Sequence, residues 1–82
     1  MKKETFIKQV QEAEDTLYLV ARTILMEEKD CEDAVQNAIL HAYEKLDTLR
    51  QEQYFKTWLV RIMLNESYKI RRAQKPVVSY EE

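Results

Sequence analysis

The chain has 82 residues, with no glycine, one proline, one cysteine and 34% charged side chains. That length allows one domain at most, too small for a large enzyme core with a substrate cleft. Without glycine there is no phosphate loop or dinucleotide fingerprint in the usual form, and long helices are favoured over hairpins; a lone cysteine excludes an intrachain disulfide and a cysteine-based zinc site.

The first predicted helix runs from about Glu4 to Met26. Phe6, Val10, Ala13, Leu17, Val20, Ala21 and Ile24 recur at steps of three and four and make one apolar stripe. Glu27-Glu28-Lys29 reads as a polar break. A second helix is predicted from Asp30, with Asp30 as N-cap and Asp33 closing a capping box. Its buried stripe is Val35, Ala38, Ile39, Ala42, Tyr43 and Leu46. Asp47 and Thr48 open a polar link reaching Glu52, with room for a short extra turn.

The third helix is predicted from Gln53 to Ala73. Phe55, Leu59, Ile62 and Ile70 face the core, and Trp58, Arg61, Asn65, Tyr68 and Arg72 share a neighbouring face. Pro76 stops the helix by Gln74 or Lys75. Residues 1–75 thus read as one helical domain, and 76–82 as a tail or the start of a linker. The predicted fold class is all-α, a bundle of three main helices, with Tyr43, Phe55, Leu59 and Ile62 mostly buried.

The net charge of −2 hides a division. Residues 1–54 hold 7 Lys/Arg against 12 Asp/Glu, and residues 55–76 hold 6 against 1. A swing from −5 to +5 along so short a chain suits two partners of opposite charge, although solvated helix faces produce charge blocks too. No apolar run approaches the length of a membrane span, and the first ten residues lack a signal core. The expected location is cytoplasmic, with no membrane insertion.

Two constellations carry chemistry. On the third helix, Trp58 and Tyr68 offer flat rings, Lys56, Arg61, Lys69, Arg71, Arg72 and Lys75 offer charge, and Asn65 offers a donor and an acceptor. Single-stranded nucleic acid calls for that combination. Alone, Trp58 reads first as a core residue, and some of the terminal cations complement the helix dipole. On the second helix, Glu32, Gln36, Asn37 and Glu44 lie off the apolar stripe and suit either a basic protein surface or solvent. No cofactor set or nucleophile–base pair is present: His41 reads as a surface histidine, and Cys31, among Asp30, Glu32 and Asp33, as an inert thiol.

Several ordered segments recur together: Asp30-Cys31-Glu32-Asp33-Ala34-Val35-Gln36-Asn37, then Ala42-Tyr43, Leu46-Asp47, Phe55-Lys56-Thr57-Trp58-Leu59-Val60-Arg61-Ile62, and Asn65. They cover about half of the chain. This series resembles region 2 of bacterial RNA polymerase sigma factors of the extracytoplasmic-function group. The resemblance implies a helical domain acting in transcription initiation. It implies docking of the second helix on the clamp helices of the core polymerase largest subunit, through Asp33, Gln36, Glu32 and Asn37. It implies reading and melting of the minus-ten promoter element as a single strand. Asn65 and the link from Asp47 to Lys56 would form a pocket for an extruded base, and Arg61, Lys69 and Arg72, with Lys56 and Trp58, would lie along the strand. An anti-sigma factor is a further implied partner.

The match has departures. Asn37 stands where the family usually has an acidic residue, Cys31 and Ala34 differ from its common choices, and Arg50 is followed by Gln51-Glu52-Gln53 rather than glycine. The helix-turn-helix that family members carry further on is not in this sequence, which reads as an excised domain in preference to a natural fragment. The competing expectation is a protein–protein module that binds polymerase or an anti-sigma factor without touching DNA.

Overall fold

The computed structural model describes residues 1–74. The tail reading for 76–82 and the contribution of Lys75 to the basic run lie outside the described residues. Three helices make the fold: α1 (Lys3–Arg22), α2 (Glu28–Glu44) and α3 (Phe55–Gln74). The link between α2 and α3 contains two short 3₁₀ turns, Leu46–Thr48 and Glu52–Tyr54. Among the described residues there is no strand, as the all-α expectation required.

Helix α1 stops four residues before the predicted Met26. Thr23 ends it by donating its hydroxyl to the Val20 carbonyl at 2.6 Å, while the amides of Ile24 and Leu25 reach back to Ala21. A glycine would close this helix end in a left-handed conformation. Here a threonine closes it in right-handed geometry, and no described residue has positive φ. The tight exit drives Leu25 into the core.

Helix α2 begins two residues before the predicted Asp30. Glu27 is its N-cap, and no side chain caps it. The expected capping box of Asp30 and Asp33 is therefore absent. Asp30 sits inside the first turn, where it still faces the positive helix end, and accepts a hydrogen bond from Gln74 Nε2 at 2.6 Å. Asp33 lies 3.8 Å from Lys29, one turn back. Glu28 and Lys29 are good helix formers, so the helix extends over them instead of breaking.

The core stripe of α2 is rotated from its predicted position. Cys31, Ala34, Ala38 and Ala42 are the fully buried residues of this helix. Val35, Ile39 and Leu46 are partly buried beside the core. Tyr43, expected inside, is 47% exposed, although its ring lies 5.3 Å from that of Phe6. The reason is width. A helix that packs against two neighbours approaches most closely where its side chains are small, and larger ones must lie along the flanks.

Bulk comes from the other two helices. Phe6, Val10, Leu17, Phe55, Leu59 and Met63 fill the interior. Phe6 meets Phe55 edge-on at 5.7 Å, and Phe55 meets Trp58 at 5.9 Å, within the favourable range for aromatic pairs. Phe55 and Leu59 are buried as expected. Ile62 is only half-buried, and Met63, unbranched and adaptable, takes the central place. Ala38→Leu is expected to lower unfolding free energy by about 1–3 kcal/mol through overpacking. Leu40→Ala, on the exposed side of the same helix, is expected to stay within about 0.5 kcal/mol. Urea unfolding measures both.

Candidate functional site

Helix α3 gathers most of the residues singled out for nucleic acid. At about 100° per residue, Trp58, Arg61, Asn65, Lys69 and Arg72 fall within about 80° of arc. Arg61, Asn65, Lys69 and Arg72 are exposed, and Trp58 is half-buried against the core. Trp58 thus packs part of its ring system on the core and leaves the rest accessible. Lys56 stands apart from this face. It lines a shallow depression with Gln9, Glu12, Ala13 and Phe55 on the α1 side.

The link folds over the start of this face. A cleft of about 380 Å³ is lined by Thr48, Leu49, Arg50 and Gln51 from the link and by Tyr54, Thr57, Trp58 and Arg61. Two flat rings, two guanidinium groups and several hydrogen-bonding side chains meet there. Such a cleft can take a planar heteroaromatic ring by stacking and hold an adjoining phosphate through Arg50 or Arg61. Asn65, expected to line this space, lies one turn beyond Arg61 and is not among its walls. Arg50 and Tyr54 belong to the link expected to form a pocket, but neither was assigned a contact of its own. Their signal was an arginine and an exposed aromatic within an otherwise polar link.

The acidic side is built on α2 and extended by α1. Glu32, Asp33, Gln36 and Asn37 are all exposed, opposite the alanine seam. Glu32 and Gln36 share a groove of about 320 Å³ with Glu14, Asp15 and Tyr18 of α1 and Val35. A second groove, about 370 Å³ and mostly apolar, runs beside it between Lys3, Phe6, Ile7, Gln36, Ile39, Leu40 and Tyr43. Gln36 borders both. Glu14, Asp15, Ile7 and Leu40 were missed because each is unremarkable along its own helix; only the approach of α1 to α2 makes them a surface. The apolar signal was present in Ile7 and Leu40, which lie off the main stripes.

Two single residues differ in how well they could be read. Cys31 is buried and directs its thiol toward the Leu25 carbonyl at 3.8 Å. Burial pushes its pKa up; Arg22 opposes this, and Asp30, Glu28 and Glu32 add to it. His41, expected at the surface, is half-buried instead. It donates from Nδ1 to Glu66 Oε2 at 2.9 Å. Glu66 is 5% exposed and also has the Lys69 ammonium at 3.5 Å. A carboxylate among apolar neighbours needs such a partner, and α2 has only this histidine within reach.

Among the described residues no group of His, Cys, Asp and Glu is arranged to hold a metal ion. None of the helices is long and apolar enough to cross a membrane.

Comparison with known proteins bears on these two faces. Residues 9–77 match the family model described as Sigma-70 region 2. The chain belongs to the sigma-70 region 2 family. Its relatives include the protein named ECF RNA polymerase sigma-E factor in Escherichia coli and in Shigella flexneri, each 39% identical over 49 residues. That alignment covers 57% of this chain and 26% of each relative, so the chain spans only about a quarter of the relatives it matches. No solved structure matches. The helical architecture is that expected of region 2, and the matched stretch includes the α2 surface, the link and α3 up to its end.

The burial of Cys31 is directly measurable. A buried thiol with a raised pKa is expected to react slowly with an alkylating reagent at pH 8 in native protein and readily in urea. Equal rates in both conditions would place the thiol at the surface.

Proposed function

We propose that this chain is the part of an extracytoplasmic-function sigma factor that docks on core RNA polymerase and recognises and melts the minus-ten promoter element. The observation that carries the reading is the pairing of two unlike surfaces on one small bundle. An acidic and amide face lies on α2, and a cationic face with an aromatic cleft lies on α3. The role is one of binding, with no chemical step catalysed.

On the α2 side, Asp33, Gln36, Glu32 and Asn37 would meet the clamp helices of the polymerase largest subunit. Glu14 and Asp15 extend that acidic surface, and a basic partner helix would gain from both rows. The adjoining apolar groove gives the same partner, or an anti-sigma factor, somewhere to bury side chains.

On the α3 side, a base leaving the duplex would enter the cleft between Tyr54 and Trp58. Extrusion costs a few kcal/mol, least for a strand already single, and stacking on aromatic rings returns part of it. Arg61, Lys69 and Arg72 follow the phosphates and supply affinity without sequence preference. Lys56, on the α1 side, would meet only a strand that wraps around the helix start. Asn65, one turn from the cleft, would read the edge of a neighbouring base. The competing reading is a protein-binding module that never touches DNA.

Binding of short single-stranded minus-ten oligonucleotides as a function of salt separates the two. A negative slope of log affinity against log salt supports DNA binding, and no measurable binding at low salt would leave the protein-binding module. Tyr54→Ala is expected to weaken strand binding by about 1–3 kcal/mol through lost stacking. Asn65→Ala is expected to flatten base discrimination at one position, by about 1–3 kcal/mol on the scale of a good base contact. Arg72→Ala is expected to weaken all sequences about equally and to reduce the salt slope. Uniform loss in both Asn65→Ala and Arg72→Ala would make Asn65 a residue without a reading role.

The polymerase face has its own test. Asp33 is exposed, and its one ion pair is loose. Asp33→Lys is expected to weaken core polymerase binding in a pull-down or fluorescence titration while unfolding free energy changes by less than about 0.5 kcal/mol. A large loss of stability would make Asp33 a structural residue of α2 instead.

A further inference from the structure

Helices α2 and α3 run antiparallel, and they meet through the methyl groups of Ala34, Ala38 and Ala42 on the α2 side. Apolar contact of that kind is non-directional. It holds two helices together without deciding how far one has slid or turned against the other. Among the described residues, two hydrogen bonds join the pair: Gln74 to Asp30 at the exposed end, and His41 to Glu66 near the middle. The second is the stronger constraint. Its acceptor carboxylate is buried, so sliding would remove its close partner and leave only the looser Lys69 contact of its own helix.

The position of this bond is informative. Glu66 adjoins Asn65 on the proposed strand-reading helix and holds the Lys69 ammonium at 3.5 Å. His41 lies one turn beyond Asn37 on the proposed polymerase-docking helix. The geometry points to His41 and Glu66 as a register pin that fixes the strand-reading face relative to the polymerase-docking face. They are positioning residues, since neither is argued to touch polymerase or DNA. The inference rests on the docking and strand-binding reading above. Strand binding by free protein needs α3 and the link alone. Binding by the polymerase-bound protein needs both faces presented together, and a fixed register removes the ordering cost of bringing them into line.

The test compares strand affinity with and without core polymerase, using the 82-residue chain and a labelled single-stranded minus-ten oligonucleotide. Native protein is expected to bind the strand more tightly when polymerase is present. His41→Ala is expected to keep its free-state strand affinity and lose about tenfold of that enhancement, within the usual range of coupling between sites. His41→Gln, whose amide can still donate to Glu66, is expected to restore it. A purely structural role would not move the ratio of the two affinities. Should His41→Ala unfold at the assay temperature, the comparison passes to His41→Leu/Glu66→Leu. That variant leaves no buried charge, and replacing a buried polar pair by apolar side chains is often neutral for folding. A native enhancement in a folded variant of either kind overturns the pin. Failure of the native chain to bind strand or polymerase overturns the functional reading itself, an outcome distinct from the first because it precedes any variant.

Discussion

The alanine seam of α2 is the constraint on which the rest of the molecule depends. Cys31, Ala34, Ala38 and Ala42 let this helix sit close to both α1 and α3, but they contribute little volume. The interior must then be filled from the other two helices, by Phe6 and Leu17 on one side and Phe55, Leu59 and Met63 on the other. Each large side chain so buried contributes about 1.5–3 kcal/mol against exposure. The same seam pushes the bulky residues of α2 outward. Val35, Ile39, Leu40 and Tyr43 become the rims and walls of the two grooves facing α1. One packing decision thus sets both the core and the grooved surface between α1 and α2.

Charge follows the same division of labour. Most acids belong to α1 and α2 and most bases to α3, so much of the charge faces different directions, although Glu27 and Asp30 share a cavity with Arg71 and Arg72 and Lys56 lies beside Glu12. Ion pairs between side chains are few among the described residues, and apart from the His41–Glu66 contact at 2.9 Å they are local and loose. Cations not spent inside the fold remain available to phosphates, and exposed carboxylates to a basic helix. Surface pairs would have contributed little to stability, so little is lost by leaving them unmade. Screening at physiological salt acts over about 8 Å, short enough for each face to be met separately.

Glu66 is the exception to a dry core. It occupies a core position of α3 next to Ser67, whose buried hydroxyl has no partner. An apolar residue in either place would remove a desolvation cost. A buried polar contact gives direction where methyl groups give only adhesion, which accounts for the physical role of the His41 bond.

How much was legible in the sequence can be judged residue by residue. Three helices, their order, a polar link with room for a short turn, and the separation of acidic from basic halves follow from periodicity, the absent glycine and the order of charges. These depend on spacing along one chain and are local. The resemblance carried by the Asp30–Asn37 and Phe55–Ile62 segments pointed to the family to which the chain belongs. The rotation of α2 that exposes Tyr43 was not legible, because large aromatic and branched side chains have more surface to bury than alanine, while packing between two helices selects for narrowness. The early start of α2 was missed for a related reason: Asp30 is a good cap, but Glu28 and Lys29 are good helix formers, and the fold used the latter. The His41–Glu66 bond, which spans 25 positions, has no sequence signature, and for the cleft the resemblance pointed to the link but not to the meeting of Arg50 and Tyr54 with Trp58 and Arg61. The sequence by itself determined the elements and their charges; the tertiary structure decided which faces met, because that choice depends on side-chain volume and reach across helices.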